Sequence, residues 1–218
     1  MNEWTSQENS NSCKRGGKMA NTCTSDISQK HLTLGDLLRH QIEFQKRLGN
    51  TLPKRYDDVS FDNVQSSLSH NIYQNIELQE LMEADAKDRK EELIDYLLFM
   101  LNKYIYLGVD IERIDDYALF GMLFSNSSCS VSFYTCSSLA QTEQQLYMSL
   151  IRHHTIFKPW KVRDNETCTN DLAVFDAFLE SLEIFEQMAN IVYSSYSEFY
   201  KALTTKLDIN IERQNSGY

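Results

Sequence analysis

Two acidic pairs set into apolar helical stripes constrain this chain more than anything else in it. Glu77 and Glu80 form one pair, Glu92 and Asp95 the other. Each pair has i, i+3 spacing, so on a helix both of its carboxylates face the same way. Around them Ile76, Leu81, Leu93, Leu97 and Leu101 recur at helical spacing. The acids therefore point inward or to the edge of a core, and carboxylates gathered there require cations. Hard oxygen ligands without a nearby His or Cys point to Mg²⁺. The two pairs converge only if the chain reverses between them. No Gly or Pro separates them, and propensity permits one continuous helix. Glu80 and Glu92 would then be 12 residues, or about 18 Å, apart along the axis. The reversal has to fall within Ala84-Asp85-Ala86-Lys87-Asp88, where two aspartates favour a turn. The competing reading is a solvated acidic face laced with Lys87, Arg89 and Lys90.

An all-α fold is expected, a helical bundle whose antiparallel helix pair carries the acidic site. Two prolines and seven glycines in 218 residues suit helices throughout, and that length supports one sizeable core. The formal net charge of −10 argues against duplex nucleic acid or an anionic membrane surface as a principal partner. A small anionic substrate is compatible with it, because bound cations invert the local field. The five cysteines (Cys13, Cys23, Cys129, Cys136 and Cys168) are odd in number and form no CxxC, which reads as free thiols in a reducing compartment. With neither an apolar leader nor an 18-residue apolar run in the sequence, a cytoplasmic protein is expected.

Along the chain, residues 1–30 are polar and read as a disordered segment, and residues 31–218 as the helical domain. Thr33 caps a first helix that stops at Gly49. Residues 50–66 read as a loop, 67–84 and 87–107 as the second and third helices, and 111–120 as a short one. Residues 121–138, rich in Ser and Cys, read as a loop or insertion. A helix near 139–157 and a long one over 171–203 follow, and 206–218 forms a polar tail.

Three tracts resemble one family. Glu77-x-x-Glu80 and Glu92-x-x-Asp95 on consecutive helices are similar to the metal motifs of the all-α nucleoside triphosphate pyrophosphohydrolases. That group includes MazG-like enzymes, dimeric dUTPases and phage dCTP pyrophosphatases. The run Glu92-Leu93-Ile94-Asp95-Tyr96-Leu97-Leu98-Phe99-Met100-Leu101-Asn102 resembles the dimeric dUTPase motif ELVD-x-x-HF-x-L-x. Leu37 to Gln45 resembles that family's first helix, and Asn210 to Tyr218 its closing N-x-x-RQ-x-x-GY signature.

The resemblance covers about residues 33–115 and 190–218. It implies a homodimer with two or more Mg²⁺ ions per site, held by Glu77, Glu80, Glu92 and Asp95. It implies base contact by Gln41 and nucleoside packing near Phe99 and Asn102. Phosphate or sugar contacts fall to Lys206, Asn210, Arg213 and Tyr218, and 206–218 becomes a tail that closes over the substrate. Lys158, Trp160 and Lys161 match the family's FKxWK-type segment, here displaced beyond both acidic pairs. Leu98 stands where the family has His, and the link between the pairs is unusually short. The implied reaction is cleavage of dUTP to dUMP and diphosphate. The alternatives are dCTP, a broader MazG-like specificity, or a non-catalytic helical interaction protein.

Overall fold

The computed structural model describes residues 32–114 and 170–217, with the side chains of 170–172 left aside. Its elements are α1 (Leu34–Arg47), a 3-10 turn (Tyr56–Asp58), α2 (Phe61–Glu83), α3 (Asp88–Tyr106), α4 (Asn170–Val192) and α5 (Tyr196–Asn215). No extended strand occurs among the described residues, so the all-α expectation holds. The segments expected over 1–30, 121–138 and 139–157, and all five cysteines, lie outside the described residues. Of the helix expected at 111–120 only Ile111–Ile114 is described, and it forms a turn.

The third helix organises the bundle. It packs against α1, α2, α4 and α5. Leu93, Ile94, Tyr96, Leu97, Met100, Leu101, Tyr104 and Ile105 are all buried, so α3 is covered around most of its circumference, as the central helix of a bundle must be. Tyr104 ties it to α4: its hydroxyl donates to the Ala177 carbonyl at 2.9 Å and lies 2.8 Å from Ser181 Oγ. Phe178, Phe185 and Phe199 continue that core toward α5. Gly108 ends the α3 segment at φ +70°, where a β-carbon would lie 2.5 Å from the Arg55 carbonyl carbon. Only glycine allows the 50–59 segment to approach that closely.

The reversal between α2 and α3 occurs where the metal reading requires it. Ala84 turns extended (φ −66°, ψ 147°), and the Asp85 carboxylate accepts from the backbone N–H groups of Lys87 (2.8 Å) and Asp88 (3.1 Å). One aspartate side chain therefore takes the part that a glycine usually plays.

Three boundaries differ from expectation. The second helix begins at Phe61 instead of 67, because Ser60 and Asn63 form a reciprocal capping box that makes 61–66 its first turns. The helix expected over 171–203 breaks at 193–195. Tyr193 turns inward and donates to the Lys90 carbonyl at 2.5 Å, while Ser195 caps α5 by accepting from the Glu198 N–H. The expected tail from 206 onward is helical to Asn215, since Phe199, Leu203 and Leu207 bury one continuous face. It is thus the last turns of a packed helix. Its side chain at Gln214 donates to the Phe44 carbonyl at 3.2 Å, fastening it to α1.

Candidate metal centre and adjoining cavity

Four helices line one cavity of about 470 Å³, within the range of small-molecule sites. Each contributes residues repeated at two-turn spacing, so one stripe per helix faces the cavity. From α1 come Gln41, Phe44, Gln45 and Leu48; from α2, His70 and Glu77; from α3, Asp95, Leu98, Phe99 and Asn102; from α5, Lys206, Asn210 and Arg213. Asn50, just past α1, completes the wall. Because α2 and α3 run antiparallel, Glu77 meets Asp95 at one end and His70 meets Phe99 at the other. The two ends are separated by about 10 Å, two helical turns.

The acidic end brings together Glu77, Glu92 and Asp95, whose nearest carboxylate oxygens all lie within 4.8 Å of one another. Glu80, the fourth expected ligand, is exposed and stands outside that group. Its charge still raises the pKa of both Glu77 and Glu92. Glu77 is pushed up to about 8, first by burial and then by Asp95, Glu80 and Glu92. It is therefore largely protonated at neutral pH, and a hydrogen bond joins it to Glu92. Burial also raises Asp95, against the hydrogen bond and charge of Lys206, whose Nζ lies 2.5 Å from Asp95 Oδ2. Three carboxylates whose proton affinities are all raised by burial and by neighbouring carboxylates form a site that favours a cation.

The donor set fits a hard divalent ion. Mg–O distances of about 2.1 Å place neighbouring ligands of an octahedron about 3.0 Å apart and opposite ones about 4.2 Å. From within 4.8 Å of one another, the three oxygens reach those spans by side-chain rotation inward. Glu77, Glu92 and Asp95 would hold such an ion. When bound, the ion supplies charge to phosphate oxygens and acidifies a water.

Of the residues expected to contact substrate, Gln41, Phe99, Asn102, Lys206, Asn210 and Arg213 all line the cavity. Lys158, Trp160, Lys161 and Tyr218 lie outside the described residues. The residues that sequence reasoning missed are Phe44, Gln45, Leu48, Asn50, His70 and Leu98. The signal that could have found two of them is the repeat itself: Gln45 follows Gln41 by one turn, and His70 precedes Glu77 by two. Searches of protein-family models, curated proteins and solved structures return no match.

Proposed function

We propose that the chain is a Mg²⁺-dependent pyrophosphohydrolase of pyrimidine deoxynucleoside triphosphates, dUTP or dCTP, producing the monophosphate and diphosphate. One observation carries the reading: a single cavity joins a carboxylate cluster, cationic side chains and an aromatic, amide-lined end. Its length of about two helical turns suits a nucleotide laid with its phosphates at Glu77, Glu92 and Asp95 and its base near Phe99. Lys206 and Arg213 line the cavity from α5, their charges act on Asp95, and they offer donors to phosphate oxygens. Asp95 is held by Lys206 and positions that ammonium beside the incoming phosphates. A carboxylate of the cluster, in its ionised form, accepts the proton of the attacking water. Phe44, Leu48, Leu98 and Phe99 give the cavity its apolar lining.

The test is to incubate the protein with dUTP, dCTP, dTTP and ATP, in Mg²⁺ or EDTA, and to quantify diphosphate and monophosphate. Metal-dependent diphosphate from a pyrimidine deoxynucleotide is expected. No product from any of the four overturns the reading. We further infer a homodimer, supported by the apolar side chains left in solvent along α2, namely Phe61, Ile72, Tyr73 and Ile76. Sedimentation equilibrium should return twice the chain mass, and a clean monomer contradicts it.

A further inference from the structure

The end of the cavity remote from the carboxylates holds polar groups for which the phosphate chemistry has no use. Asn102 is 5% exposed, and its buried Oδ1 has no hydrogen-bond partner. A buried acceptor left open in this way costs free energy unless a ligand answers it. Beside it stands His70, whose Nδ1 lies 2.8 Å from the Ser66 carbonyl. A carbonyl only accepts, so Nδ1 carries the ring proton and Nε2 of the neutral ring is an acceptor. Burial lowers the His70 pKa and keeps the ring neutral. The ring is fixed in orientation by Tyr106 (5.1 Å between centroids), Phe99 (6.0 Å) and Tyr73 (6.1 Å).

Gln45 supplies the opposite polarity. Its Oε1 accepts from Asn50 Nδ2 at 2.7 Å and from Tyr106 Oη at 3.1 Å. With its oxygen turned to Asn50 and Tyr106, the Gln45 amide keeps its N–H groups as donors. The cavity end therefore presents two acceptors, Asn102 Oδ1 and His70 Nε2, and one donor, Gln45 Nε2, beside the ring of Phe99.

We propose that His70, acting with Asn102 and Gln45, determines base specificity and selects a pyrimidine bearing an exocyclic amine, a cytosine, over uracil. The inference rests on the reading of the cavity as a pyrimidine nucleotide site. Cytosine offers two amine N–H groups to the two acceptors, and its ring nitrogen or carbonyl accepts from Gln45. Uracil turns a carbonyl oxygen toward both acceptors, which repels it and leaves Asn102 unanswered. Sites built to bond a substrate N–H or O–H discriminate strongly against an analogue that lacks it.

The experiment measures equilibrium binding of dCMP and dUMP to the full chain in EDTA, by calorimetry, alongside kcat/KM for dCTP and dUTP in Mg²⁺. Wild type should prefer the cytosine nucleotide by at least about 10-fold in either measurement. His70→Phe keeps the aromatic packing and removes the acceptor, and the preference should fall to within about 3-fold. Circular dichroism verifies that this variant is folded, and the wild-type ratio alone suffices to decide if it is not. Selective dCMP binding without turnover of any triphosphate sinks the proposed reaction and leaves this assignment standing. Turnover with uracil preferred, or with no preference, sinks this assignment and leaves the reaction. Undiminished preference in His70→Phe removes His70 from the role, and absence of both binding and turnover sinks both proposals.

Discussion

Replacing Glu77 by Gln should stabilise the metal-free protein at alkaline pH and weaken its response to Mg²⁺. In the folded chain Glu77 keeps its proton to about pH 8, against 4.5 for an ordinary glutamate. The folded state thus binds the proton more tightly than the unfolded state does. The resulting stability is fully present below about pH 4.5, is lost as pH rises to about 8, and stays lost above that. At 1.36 kcal/mol per pH unit the whole effect is at most about 5 kcal/mol. Glu77 is only half-buried, and solvent screening reduces the figure to about 2 kcal/mol. Glutamine preserves the shape and carries no charge. The Glu77→Gln protein in EDTA should therefore melt about 4–8 °C above wild type near pH 8.5 and close to it near pH 5. Glu92 and Asp95 are raised as well, so a shallower slope remains in the variant. Saturating Mg²⁺ should reverse the order, because wild type gains ligand-linked stability that the variant largely lacks. The assay is thermal unfolding followed by circular dichroism from pH 5 to 9, with EDTA or Mg²⁺. Identical pH slopes for the two proteins, or equal stabilisation by Mg²⁺, would refute the reasoning.

Other substitutions probe the frame and the cationic wall of the cavity. Gly108→Ala places a β-carbon 2.5 Å from the Arg55 carbonyl carbon at φ +70°, and should cost at least about 3 kcal/mol in urea unfolding. Tyr104→Phe removes the hydroxyl shared between Ala177 and Ser181, and should cost about 1 kcal/mol by the same assay with no change in helix content. Lys206→Met frees Asp95 from its ion pair. Mg²⁺ should then bind more tightly in the absence of nucleotide, while KM for the triphosphate rises about 10-fold or more. Steady-state kinetics with a Mg²⁺ titration separates those two effects.

Much of the site was legible because helices write their faces as spacing. Glu77 and Asp95 sit on stripes that periodicity places on one side of each helix, whereas Phe99, Asn102, Lys206, Asn210 and Arg213 were marked by the resemblance of their tracts to one family. Glu80 shows the limit. Its i, i+3 partner faces the cluster, yet 3 residues are 300° of rotation, and that offset leaves Glu80 at the exposed rim. The break at Tyr193-Ser194-Ser195 was hidden because its cause is tertiary: the phenol finds the Lys90 carbonyl on another helix. The terminal turns looked like a polar tail because few apolar residues follow Leu207. They stay helical through Gln214 and the backbone of α1. His70 was invisible for a related reason. Its use as an acceptor depends on a carbonyl one turn away, on Tyr73 of its own helix and on Phe99 and Tyr106 brought by α3.

The central claim is that side chains of α2 and α3 converge on a divalent cation. Mn²⁺ reports such binding directly through the loss of its free-ion paramagnetic resonance signal. Titrating Mn²⁺ into the wild-type chain should show at least one bound ion per chain, competed away by Mg²⁺ and lost in a Glu92→Gln, Asp95→Asn double variant that keeps its helix content. No bound Mn²⁺ in wild type, or undiminished binding in the double variant, would contradict the account.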